Sequence, residues 1–244
     1  MFPILFTRTF LIVGGMLLIT TLFSYSNKKF DSLKEVLLSI FGIFFLLFLG
    51  RQFINDYPLN LMIIALFSAL SGWMIGPVIS SIGEETAQKR YLKSRGIKLK
   101  KGESMHWQVK LDFIRDYDVE ANNRATHKIV FQTISATTFA VFATAATVFL
   151  TQYNFSLMES YLLVALSLLL SMTILNFSFF KSKFMNLLLY YFGAGLFTLY
   201  LFVDFYRMEQ MANDTTWKTA ADISIRMYLD IFNLFLSLLG IQTT

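Results

Sequence analysis

Residues 59–83 read LNLMIIALFSALSGWMIGPVISSIG, and from Leu59 to Gly83 there is no charged side chain. A helix crosses the hydrocarbon core of a bilayer with about 20 mostly apolar residues. A second charge-free run extends from Ile129 to Tyr153. Working outward from these two, five more apolar stretches complete a set of seven spans: 9–25, 36–53, 59–82, 129–152, 160–180, 184–206 and 222–241. The second is marginal, because its charge-free run ends at Arg51. The seventh carries Asp222, Arg226 and Asp230, so hydropathy alone misses it or reads it as re-entrant. The predicted fold class is an all-α membrane protein with seven transmembrane helices.

Composition agrees. Of 244 residues, 55% are hydrophobic and 15% charged, against roughly 25% charge in an average soluble domain. Phe numbers 27 and Cys is absent, which excludes disorder, disulfide scaffolds, thiolate metal sites and thiol nucleophiles. The two His and the scattered carboxylates give no zinc-ligand spacing. Arg8 precedes the first apolar run, but no small-x-small cleavage site follows Phe23. That run is expected to be retained rather than cleaved as a signal.

Residues 1–244 read as a single transmembrane domain with one hydrophilic insertion, 83–128, between the third and fourth helices. It holds 11 of the 21 Lys and Arg and 7 of the 16 Asp and Glu. Within it Met105, Trp107, Val109, Leu111 and Phe113 alternate with polar residues. That period of two predicts a strand, with Ile97 and Leu99 as a shorter partner and Gly102 in the connection. An interfacial helix and simple disorder are the alternatives.

Seven spans put Arg8, Arg51, Arg207, Lys218 and Arg226 on one side and the other 16 basic residues on the opposite side, mostly in the insertion. The positive-inside rule then favours a cytoplasmic insertion. Without the insertion the count is five against five and decides nothing. The net charge of +5 is of the kind that anionic lipid attracts at loop positions. No aromatic-basic groove pattern points to nucleic acid. The lipid bilayer is the expected partner.

Two acids stand where lipid is expected. Asp204 follows Leu-Tyr-Leu-Phe-Val near the end of the sixth span, and Asp230 lies well inside the seventh. A carboxylate at the bilayer centre costs about 2.5–3.5 kcal/mol even on the milder insertion scale, so both should face protein or water. Asp222, Arg226, Asp230, Asn233 and Ser237 are spaced 4, 4, 3 and 4. They form one polar stripe along an otherwise apolar helix. On the sixth span Asn186, Tyr190, Gly193, Tyr200 and Asp204 fall close to one face.

Consecutive helices begin and end on the same side of the membrane. From the span limits, Asp204 lies roughly 3–6 Å and Asp230 roughly 12 Å from that side, and Arg51 ends its span there too. Two carboxylates in a low-dielectric seam share one proton and titrate as a unit. A neighbouring Arg51 could latch them electrostatically until protonation weakens the latch. The structural alternative is local: Arg226 is four residues from both Asp222 and Asp230 and could neutralise the stripe within its own helix.

Gly72 and Gly76 form a GxxxG pair followed by Pro77, which reads as a close helix approach. Pro77 is also a candidate break in the third helix, freeing the carbonyl of Trp73. An enzyme is not expected. Aspartyl membrane proteases carry Tyr-Asp on one helix and Gly-x-Gly-Asp on the next, whereas here the sites read Val203-Asp204 and Tyr228-Leu229-Asp230. Serine hydrolase motifs are absent.

The segment Met227-Tyr-Leu-Asp-Ile-Phe-Asn-Leu-Phe-Leu-Ser-Leu-Leu-Gly240 resembles the last helix of the Bax inhibitor family, whose members commonly end in Leu-Tyr-Leu-Asp-x-x-Asn-Leu-Phe. Ser71-Gly-Trp-Met-Ile-Gly-Pro-Val-Ile79 resembles the family's third-helix Gly-Pro signature. Ile134 to Val148 resembles its fourth helix, and Leu199 to Met208 its sixth. The resemblance implies a seven-helix fold with a central last helix and a pH-sensitive calcium leak. It assigns the sensor to Asp204 and Asp230 and the latch to Arg51. It also implies a cytoplasmic N-terminus, against the charge count, and this reading follows the resemblance. The sequence departs from the family in its longer insertion and in Val-Asp-Phe-Tyr around Asp204.

The expectation is therefore a proton-regulated cation leak in the cytoplasmic membrane, with calcium and protons as partners and no cofactor beyond weakly bound calcium at Asp204 and Asp230. Two carboxylates are too few for a tight calcium site, which suits passage better than storage. The alternative is a regulator that binds another membrane protein, such as a membrane protease, through 83–128.

Overall fold

The computed structural model describes residues 4–97, 106–116, 119–151 and 153–243. Eight α-helices follow in order: α1 (Ile4–Ser26), α2 (Leu33–Gln52), α3 (Leu59–Ser94), α4 (Trp107–Arg115), α5 (Val119–Thr151), α6 (Met158–Leu175), α7 (Lys183–Gln210) and α8 (Trp217–Thr243). A π-helical turn, Asn176–Phe180, finishes α6. All but α4 are long and apolar enough to cross a membrane. The protein is an all-α membrane protein, with no strand among the described residues.

The expected strand over 105–113 is instead α4. Nine residues satisfy a period of two and a helical period almost equally, and local bonds decide between them. Lys110 N donates to the His106 carbonyl at 3.0 Å, and Arg115 pairs with Asp112 at 3.1 Å, three residues back. Val109 and Phe113, four apart, turn toward the body, where the Phe113 ring meets Tyr91 of α3 edge-on at 5.4 Å. Arg95 at the end of α3 pairs with Asp116 at 2.8 Å. Met105, Leu99 and Gly102 of the expected hairpin lie outside the described residues.

Much of the insertion continues the spans. A run of 36 residues makes α3, about 54 Å at 1.5 Å per residue, against a hydrocarbon core of about 30 Å. A charge ends a hydropathic run but not a helix. Past Gly83 the helix is carried on by good helix formers and by the Glu85–Lys89 pair at 3.2 Å.

Pro77 does not break α3. Proline removes the N–H that would bond the carbonyl four residues back, and that carbonyl, of Trp73, accepts from Asn27 Nδ2 at 3.3 Å instead. Trp73 Nε1 donates to Glu35 Oε1 at 2.9 Å, and Ser32 caps α2 by accepting from Glu35 N at 3.3 Å. The α1–α2 connection is thereby tied to α3. The GxxxG pair lies against α1, as its spacing suggests. A Cβ on Gly72 would overlap the Thr20 carbonyl, and one on Gly76 the Asn27 carbonyl, so only hydrogen lets the two backbones meet.

Helix α8 occupies the centre, packed against α1, α3, α5 and α7, while α2 rests chiefly on α3 and α6 on α7. Met227 and Tyr228 of α8 and Leu201, Phe205 and Met208 of α7 are fully buried. The α7–α8 crossing is close. A Cβ on Gly193 would come within 2.8 Å of Ser237 Oγ, and one on Gly240 within 2.6 Å of the Tyr190 ring.

Candidate functional site

The α7–α8 crossing brings Asp204 and Asp230 together. Asp204 is 4% exposed and Asp230 9%, and their carboxyl groups lie within hydrogen-bonding reach of each other. No N–H or O–H of the protein donates to the buried Oδ2 of Asp204, so with both carboxyls ionised it has no donor, and a proton held between the two acids would supply one. Burying a polar atom without a partner is costly, so this oxygen marks a place where a proton or cation would be stabilised.

The depths differ from those read off the span limits. Asp204 stands six residues before the end of α7 and Asp230 thirteen after the start of α8, roughly 9 Å and 20 Å along their helices. Both helices run past the expected ends, 206 and 222, to Gln210 and back to Trp217. Their ends are staggered, and the stagger brings the acids level.

The stripe on α8 divides. Arg226 Nε pairs with Asp222 Oδ2 at 3.2 Å, both side chains being about half exposed. Asn233 Nδ2 donates to the Leu229 carbonyl and Ser237 Oγ to the Asn233 carbonyl, each at 2.8 Å. Local pairing thus accounts for Asp222, while Asp230 faces Asp204. On α7, Tyr200 lies within electrostatic range of both acids. Asn186 serves elsewhere, accepting from Asn176 Nδ2 at 2.5 Å beside the π turn.

Arg207, one turn beyond Asp204, was not among the expected site residues. Its Nη2 donates to Glu159 Oε1 at 2.8 Å and Oε2 at 2.9 Å, tying α7 to α6. Its spacing of three from Asp204 was the available signal. Nothing in sequence pointed to Glu159, 48 residues away. Arg207 and Arg226 are the cations in electrostatic range of Asp204. Arg51 is exposed at the end of α2 and forms no ion pair among the described residues. A Cβ on the preceding Gly50 would approach Ile63 at 3.7 Å and Ile225 at 4.0 Å. Gly50, beside Arg51 in the chain, therefore stands near Ile225, five residues or about 7.5 Å along α8 from Asp230, while Arg51 is not among the charges acting on either aspartate. No group of three metal-ligating side chains occurs among the described residues.

Fold and site together define a seven-helix integral membrane protein with an acid pair at its central helix. The family model described as inhibitor of apoptosis-promoting Bax1 matches residues 119–243, just over half of the chain. The chain belongs to the Bax inhibitor family. The matched segment runs from α5 to α8 and includes both aspartates, whereas Arg51, Gly72, Gly76 and Pro77 precede it. A search of curated proteins finds no match.

Proposed function

We propose that this protein is a pH-regulated leak for cations, calcium foremost, in the cytoplasmic membrane with its N-terminus inside. Asp204 and Asp230 are the sensor and the weak ion site, and Arg51 is the latch. The observation that carries this reading is a pair of buried carboxyls from neighbouring helices, one oxygen of which receives no N–H or O–H from the rest of the protein. Hard oxygen ligands suit calcium, and two carboxyls hold it loosely enough to let it go. Protons and cations compete for the same oxygens. Arg51 engages when α2 shifts toward α8. Because α2 is held mainly by α3, such a shift leaves the core packed.

The test is calcium flux into proteoliposomes between about pH 6 and 8. Asp204→Asn and Asp230→Asn are each expected to flatten the pH dependence, and Arg51→Ala to raise flux several-fold at the high-pH end. Wild-type flux and pH profile in both Asn variants would refute the reading.

One observation favours a second reading, a regulator docking on another membrane protein. The outer face of α4 presents Trp107, Leu111 and Ile114, each more than half exposed and spaced 4 and 3 along one helical face. Replacing these three with Ser would then remove partner binding and leave flux intact.

A further inference from the structure

A funnel of about 520 Å³ lies among α1, α3, α5 and α8. It opens at the end of the bundle that carries the insertion. From Leu17 at its floor it follows α1 for nine residues to Ser26, about 14 Å, and Lys28 stands two residues further on at its rim. Its walls are largely apolar, with Ile79, Val130, Ile134 and Phe235 among them.

The funnel is separate from the acid pair. Ile231, Phe232 and Phe235 of α8 line it, while Asp230 turns to α7. At its floor Thr20 is hydrogen-bonded to the Tyr228 hydroxyl at 2.7 Å, and Tyr228 is fully buried. Helix α8 therefore stands between the two sites.

The rim is charged. Lys28 comes from the turn that follows α1, Glu84 from α3 and His127 from α5. None of the three forms an ion pair among the described residues. Glu84 is the first charge after the run from Leu59 to Gly83, and Lys28 lies two residues past the end of α1. Both positions fall at the level of the lipid headgroups.

We propose that this funnel binds a single-chain zwitterionic amphiphile, a lysophospholipid with an amine headgroup. Its phosphate meets Lys28 and His127, its ammonium meets Glu84, and its acyl chain runs down the apolar wall. The volume lies within the 300–1,000 Å³ range of small-ligand sites. A hydrated metal ion would leave the apolar wall without a partner. A simple fatty acid would set its carboxylate against Glu84 and leave that charge unmatched. This inference does not depend on the proposed leak.

The test uses the full chain in nanodiscs with a lysophosphatidylethanolamine carrying a photoreactive group at the end of its acyl chain. Cross-links mapped by mass spectrometry are expected on funnel residues such as Ile134 and Phe235. Unlabelled lysophosphatidylethanolamine should compete at least several-fold better than lysophosphatidic acid or palmitate. Glu84→Gln should bring lysophosphatidylethanolamine and lysophosphatidic acid to parity by weakening the former several-fold, with the remaining labels still on the same funnel residues. Ile134→Trp, checked for folding by its melting temperature, should abolish labelling, and the Asp204→Asn/Asp230→Asn double variant should label as wild type. Labels confined to the outward faces of α2 and α6, or equal competition by the three amphiphiles in wild type, would overturn the proposal. The Glu84→Gln comparison decides the case even if the Trp variant does not fold.

Discussion

At the level of single residues, Asp214 shows how much one partly exposed carboxylate organises. It lies in the connection between α7 and α8 and accepts from Thr219 Oγ1 at 2.6 Å and Thr216 N at 2.8 Å. Thr216 in turn accepts from Thr219 N at 3.3 Å, in the manner of a helix N-cap. The bond from the Thr219 hydroxyl, with those from Thr216, holds the Asp214 carboxyl below its ordinary value of 3.8. A carboxyl lowered by folding contributes stability above its unfolded pKa and loses it as pH falls through the folded one. The start of α8 should therefore weaken below about pH 4. Asp214→Asn, compared with wild type by thermal melting in detergent from about pH 5 down to pH 3, is expected to lose that component of the acid-side decline. Parallel curves would mean that the hydrogen bonds seen here do not discriminate the ionised carboxyl.

At the level of elements, α3 carries a proline through its interior because another element supplies what proline removes. The Trp73 carbonyl would be an unpaired acceptor without Asn27, and a buried unpaired acceptor costs about 1–3 kcal/mol. Asn27→Ala is expected to destabilise by about that amount. In a Pro77→Ala background the restored N–H can bond the Trp73 carbonyl along the helix, so the same substitution should cost much less. A double-mutant cycle by denaturant or thermal unfolding measures the difference as an interaction energy. A coupling near zero would show that Asn27 acts through its bond to Glu35 (3.5 Å) instead. The expectation of a break at Pro77 failed for an instructive reason. Residue-by-residue reading sees the proline in α3 but not the Asn27 side chain that substitutes for its N–H, 46 positions distant along the chain.

At the level of the whole molecule, what was legible follows from where the constraint acts. The bilayer fixes the length of an apolar run, so seven spans were readable, even α2 with Arg51 at its end. It does not fix where a helix stops in water, so the extensions of α3 to Ser94 and of α5 back to Val119 were missed. The meeting of Asp204 and Asp230 was readable because an acid inside an apolar helix must face protein. The choice of Glu159 by Arg207 was not, since it depends on how α6 and α7 cross. The acid pair also sets a trade between stability and use. Burying charged groups costs more than packing apolar or neutral ones, and replacing a buried ionic group by a well-packed one can stabilise by about 1–4 kcal/mol. If the pair exists for passage, its removal should strengthen the bundle while closing the leak. Asp204→Asn is the sharper probe, because no N–H or O–H of the protein donates to its Oδ2. It is expected to raise the melting temperature at neutral pH and to lower calcium flux in the same preparation. If the pair serves only to hold α7 against α8, the same substitution should lower the melting temperature and leave flux unchanged. The two measurements move in opposite directions under the two accounts, so one variant in one membrane preparation separates them.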